Sequence, residues 1–175
     1  MTVDKIYLVG FMAAGKSSLA AALAHRLDWP VHDIDELIER RERRTIAAIF
    51  AREGEPYFRQ LERQILLDLI PQRHVIVATG GGTFVDPENR VLINTDGVSV
   101  WLDAPLPELL DRLPADGRRP LAADRAQMER LYAARRTAYQ QAHLRLDASR
   151  ASVEALAEQL LSELEIYTKP TLGLH

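Results

Sequence analysis

Cysteine is absent from this 175-residue chain, which excludes disulfides, thiolate nucleophiles and cysteine-ligated zinc. Lysine is scarce: Lys5, Lys16 and Lys169 are the only three, and arginine supplies nearly all the positive charge. A net charge of −3 leaves no basic excess to displace counterions, so a general nucleic-acid binder is not expected. Long hydrophobic runs are missing too, and nothing approaches the roughly 18 apolar residues of a membrane-spanning helix. Met1-Thr2-Val3-Asp4 leads straight into an apolar run with no basic segment ahead of it. A soluble, cytoplasmic protein without a nucleic-acid or membrane partner is therefore expected; a monomer is expected too, although nothing in the sequence itself gives the oligomeric state. The length suits a single domain with one core.

Within that frame, residues 10–17 read Gly-Phe-Met-Ala-Ala-Gly-Lys-Ser and fit G-x-x-x-x-G-K-[ST] at every fixed position. The apolar Ile6-Tyr7-Leu8-Val9 before it predicts a buried strand. Leu19, Leu23 and Leu27, four apart among alanines, predict a helix after it. In such a turn the backbone N–H groups and the helix N-terminus favour phosphate. Gly10, Ala13, Ala14, Gly15, Lys16, Ser17 and Ser18 are the candidate nucleotide contacts, with Lys16 bridging the outer phosphates and Ser17 offering its hydroxyl to Mg2+.

Strand and helix signals alternate along the rest of the chain. A short strand is expected over residues 29–33, then helices over 36–44, from Thr45, and from Gly54-Glu55-Pro56 to near Pro71. Further strands are expected over residues 75–78, 98–102 and 144–146, and further helices over 87–93, 124–143 and 152–166. The tail 167–175 lacks periodicity and is expected to stand apart. Alternation of this kind implies an α/β fold, a parallel sheet covered on both faces with its ligands at the carboxyl ends of the strands.

Three segments after predicted strands would meet at that edge. Asp33 and Asp35, two apart, would share a face, one reaching Mg2+ and the other a substrate hydroxyl; helix capping, with Asp35 just before the helix expected from Glu36, is the competing role. Gly80, Gly81 and Gly82 would let the main chain approach a ligand. Arg59 and Arg135 fit the pattern of ordinary helix arginines as well as that of anion ligands. Residues 113–121, rich in Pro and Gly and holding Arg118 and Arg119, form either an exposed turn or a loop that closes over a nucleotide.

Residues 10–17, Asp33-Ile34-Asp35, Phe58-Arg59-x-x-Glu62, the Ala-Thr-Gly-Gly-Gly of 78–82 and Arg119-Pro120-Leu121 together resemble the shikimate kinases across nearly the whole chain. That resemblance implies the three-layer α/β/α P-loop kinase fold, with a five-stranded parallel sheet. Residues 1–166 would form one domain, 34–62 the helical acceptor-binding region and 113–123 the lid. It implies transfer of the γ-phosphoryl of ATP to the 3-hydroxyl of shikimate, leaving ADP, in aromatic amino-acid biosynthesis. Arg59 and Arg135 would grip the carboxylate, for which the planar guanidinium fork is suited. Asp35 would hold the ring hydroxyls and orient or deprotonate the nucleophile, helped by the backbone of Gly80, Gly81 and Gly82. Lys16 and Arg119 would hold the phosphates, Ser17 and Asp33 the Mg2+, and Arg112 the adenine.

The chain departs from the family pattern at three places. Ala13 replaces a glycine, so either its backbone suits a Cβ or the loop is remodelled. Thr137-Ala138 replaces Pro-Leu, leaving Arg135 and Arg136 both open as the carboxylate contact, with spacing to Tyr139 favouring Arg135. The loop 148–151 is short, which leaves the adenine side unplaced. A gluconate or nucleoside monophosphate kinase of the same fold is the nearest alternative. A GTPase-like switch is disfavoured because no Asn-Lys-x-Asp segment occurs.

Overall fold

A computed structural model describes residues 3–113 and 122–168. Its centre is a five-stranded parallel sheet in the order β2-β3-β1-β4-β5. The strands are β1 (Lys5–Val9), β2 (Val31–Asp33), β3 (Val75–Ala78), β4 (Val98–Asp103) and β5 (Leu144–Asp147). Every residue of β1, β3 and β4 is buried, as expected where helices cover both faces of a parallel sheet. Register pairs Leu8 with Ala78 on one side of β1 and with Val100 on the other. The loops after β1, β3 and β4 therefore leave the sheet at nearly the same level.

Eight helices surround the sheet among the described residues: α1 (Lys16–Leu27), α2 (Ile34–Glu42), α3 (Ile46–Glu53), α4 (Glu55–Leu69), α5 (Pro87–Asp96), α6 (Leu106–Asp111), α7 (Ala122–Tyr139) and α8 (Val153–Thr168). Their starts follow local chemistry. Thr45 caps α3 by accepting from Ala48 N at 3.1 Å, Asp86 caps α5 through two backbone N–H groups, and Pro56 sits in the first turn of α4. Leu19 and Leu23 of α1 are fully buried beneath the phosphate loop. None of these helices is long and apolar enough to cross a membrane.

Several boundaries differ from the sequence expectations. Strand β2 begins at Val31 rather than at residue 29, because Pro30 has no N–H to donate to the ladder, although its carbonyl accepts from Ile76 N. Helix α2 starts at Ile34 and stops at Glu42, where Arg43 turns left-handed at φ 54°. Helix α7 stops at Tyr139, short of residue 143. His143 is drawn instead to β4, its N–H donating to Ser99 Oγ and its ring Nδ1 accepting from Ser99 N. Helix α6 has no counterpart among the expected elements. Tyr167 belongs to α8, its ring 5.9 Å from that of His143, and does not begin a separate tail.

The amino end of β1 is fastened by a buried polar hub. Lys5, fully buried, donates to the carbonyl of Leu69 at 2.7 Å and to Asp96 Oδ2 at 2.6 Å. The Tyr7 hydroxyl and Arg73 complete the shell around Asp96. Burial opposes ionisation of Asp96, but hydrogen bonds from Lys5, Tyr7 and Arg73 outweigh it and hold the carboxyl below its ordinary range.

Candidate active site

A cleft of about 660 Å3 opens at the carboxyl edge of the sheet, with the phosphate loop on one side and Asp33, Asp35 and Thr79 to Gly81 on the other. Three residues of the loop hold positive φ: Gly10 at 146°, Ala13 at 61° and Gly15 at 97°. Ala13 thus holds a left-handed turn that glycine would adopt more freely. Ala14 is buried and donates its N–H to the Phe11 carbonyl, while Ser17 and Ser18 line the cleft.

Lys16 Nζ donates to the carbonyls of Gly10 at 2.7 Å and Phe11 at 2.8 Å. Burial lowers its pKa to about 8, against the pull of Asp35 and Asp33. Asp33, and not Asp35, is the cap of α2. Its Oδ1 caps α2, accepting from the N–H groups of Asp35 at 3.0 Å and Glu36 at 3.3 Å, and its Oδ2 accepts from Ser17 Oγ at 3.0 Å. This cap fixes the start of α2 and turns Asp35, one residue inside the helix, into the cleft. Burial first, then the carboxylates of Asp33 and Glu62, push Asp35 up to about 6.

The glycine triplet is a seat for side chains. A Cβ on Gly80 would stand 3.0 Å from Asp35 Oδ1, on Gly81 2.8 Å from Arg135 Nη1, and on Gly82 2.5 Å from Arg59 Nη1. None of the three has positive φ, so the requirement is space rather than backbone freedom. Arg59 is held by Glu62 Oε2 at 2.8 Å and by Glu55, and its guanidinium lies over the Phe58 ring. Glu62 is buried, with Thr83 Oγ1 donating to its other oxygen. Arg135 lies over the Phe11 ring, 5.7 Å from its centroid.

Arg136, the other candidate, points away. It donates to Asp103 Oδ1 at 2.7 Å and to the Tyr132 hydroxyl, over the Trp101 ring. Arg112 donates to the Ala148 carbonyl at 2.8 Å and lines the cleft with Ala148, Ala151, Val153 and Leu156, which places the short loop beside it. Arg119 and residues 114–121 of the expected lid lie outside the described residues. Sequence reasoning missed the supporting residues Phe11, Thr83 and Asp103. Glu62 and Tyr139 were visible only as landmarks at three- and four-residue helical spacing from Arg59 and Arg135.

Comparison with known proteins agrees with this geometry. The family model described as shikimate kinase matches residues 12–165. A shikimate kinase of Sulfurihydrogenibium sp. is 38% identical over 164 residues, covering 93% of this chain and 99% of that protein. One from Geobacter metallireducens is 40% identical, covering 94% and 93%. Among solved structures, the Acinetobacter baumannii shikimate kinase in complex with shikimate superposes with a TM-score of 0.89 at 31% identity, covering 97% of each chain. The Aquifex aeolicus shikimate kinase gives 0.84 at 33%, covering 92% of this chain and 96% of that one. With a phosphate loop, a capped aspartate pair and a glycine seat for two arginines on one sheet edge, the chain belongs to the shikimate kinase family.

Proposed function

We infer that this protein transfers the γ-phosphoryl of ATP to the 3-hydroxyl of shikimate, giving shikimate 3-phosphate and ADP. The observation that carries the reading is the glycine triplet, against which one carboxylate and two guanidinium groups pack at successive residues, with Asp35, Gly80 and Gly81 lining the cleft beside the phosphate loop. An acceptor with a carboxylate and several hydroxyls matches that set. Arg59 and Arg135 would take the carboxylate in bidentate fashion, and Asp35 the hydroxyls.

In the transfer, the acceptor oxygen attacks the γ-phosphorus, the bond to the bridging oxygen of ADP breaks, and the hydroxyl proton passes to the Asp35 carboxylate. A carboxylate raised to about 6 is still mostly ionised at neutral pH yet basic enough to take that proton. Lys16 would exchange its two loop carbonyls for phosphate oxygens, and Arg119 would add a second cation. The Ser17 hydroxyl and Asp33 carboxylate are hard oxygen donors that suit Mg2+, which keeps most of its shell as water and phosphate oxygen. Bound there, the ion would neutralise phosphate charge. Arg112, spanning towards Ala148, would cover the adenine. Residues 34–62 would serve as the acceptor region.

An acceptor panel tests the reading. With Mg-ATP, ADP release should depend on shikimate; turnover with gluconate or AMP, and none with shikimate, would overturn it.

A further inference from the structure

Helix α7 presents Tyr132, Arg135, Arg136 and Tyr139 to the carboxyl edge of the sheet, at the three- and four-residue spacing that places side chains on one helix face. Tyr132 and Arg136 are committed to β4 and the residue after it, through the Ala104 carbonyl at 2.8 Å and Asp103 at 2.7 Å. Tyr139 reaches elsewhere: its hydroxyl donates to the carbonyl of Gly81.

We propose that Tyr139 is a positioning residue for the phosphoryl acceptor, its hydroxyl pinning the Gly81 carbonyl so that the glycine turn and Arg135 keep a fixed relation. The proposal deepens the reading of this pocket as the acceptor site and rests on it.

The hydrogen bonding of the turn itself supports this. The carbonyl of Gly80 accepts from Thr83 N and that of Gly82 from Val85 N, so the 3₁₀ turn that follows restrains both flanking carbonyls. The Gly81 carbonyl lies between them, and Tyr139 supplies its donor from 58 positions along the chain. Three successive glycines have little conformational preference of their own, so an outside restraint matters here more than in an ordinary turn. The same peptide faces Arg135, whose Nη1 lies 2.8 Å from where a Gly81 Cβ would be. Arg135 and Tyr139 are one helical turn apart on α7. One helix therefore holds the carbonyl of Gly81 with one residue and places a cation on its Cα side with another.

Tyr139 is built for that task. It is 1% exposed and its ring lies 6.1 Å from Trp101, so its orientation is already fixed by packing. Burial pushes its hydroxyl up to about 12 even with Arg135 alongside, so it remains a donor across the working pH range.

The test compares wild type with Tyr139→Phe, which keeps the ring and its packing, by steady-state kinetics with both substrates varied and by thermal unfolding. Loss of one restraining hydrogen bond should raise the KM for shikimate about five- to tenfold. The KM for ATP should change less than twofold, with Tm little altered. An unchanged acceptor KM would overturn the proposal, and so would a parallel rise in both KM values with a large fall in Tm, which marks a general structural role. The acceptor panel on the wild type separates this from the assignment of function. If another acceptor were the true one, Tyr139→Phe should raise the KM for that compound selectively.

Discussion

In the proposed transfer, Asp35 would give up stability for chemistry. Its carboxylate is enclosed beside Asp33 and Glu62, and its pKa rises to about 6 in the folded chain. A carboxylate whose folded pKa lies above the unfolded one begins to cost stability as pH rises past the unfolded value near 4, and the cost is complete above the folded value. Asp35→Asn should therefore abolish most turnover yet raise Tm at pH 7.5 by a few degrees, a gain that fades on acidification; calorimetry across pH checks it. The same values set the expected pH dependence of kcat/KM. Activity should fall below about pH 6 as Asp35 takes a proton and above about pH 8 as Lys16 loses one. In Asp35→Asn the acidic limb should disappear.

At the scale of elements, α7 separates two neighbouring arginines that the sequence left both open, with only the spacing to Tyr139 favouring Arg135. Arg135 faces the glycine seat and Arg136 is tied to Asp103. Arg135→Ala should raise the shikimate KM by about ten- to a hundredfold, the range for a hydrogen bond to a charged group, with little change in Tm. Arg136→Ala should do the reverse, lowering Tm by a few degrees with an acceptor KM within about threefold of wild type. Steady-state kinetics beside thermal melts will show whether the roles divide in this way. The distinction illustrates what was legible beforehand. The phosphate loop, the five strands and most helices follow from periodicity and capping, which are local. Which arginine faces inward depends on where Gly81 and Asp103 sit relative to α7, contacts made 33 and more residues apart. The cap of α2 was legible as an aspartate but at the wrong one, Asp35 before residue 36; Asp33 takes it because the helix starts two residues earlier, at Ile34. The end of α7 was misjudged too: Ser99 competes for His143 from another strand.

Across the whole molecule, β1 joins two charged regions, the Lys5–Asp96 hub at its start and the phosphate loop after its end. Removing one member of a buried ion pair strands the other. Asp96→Ala should therefore cost about 3 kcal/mol and lower Tm well beyond the effect of any substitution in the cleft, as chemical denaturation would measure. Because the pKa of Asp96 is depressed, its contribution is present above the unfolded value near 4 and is lost as pH falls through the lower folded value. The scarcity of lysine has a practical consequence. Lys5 is fully buried, while Lys16 lines an open cleft with a pKa near 8, so near that pH about half of its amine is unprotonated and nucleophilic. An amine-selective acylating reagent should therefore label Lys16 at the phosphate loop, and occupancy of the donor pocket could be followed, by peptide mapping, as protection of that side chain from covalent capture.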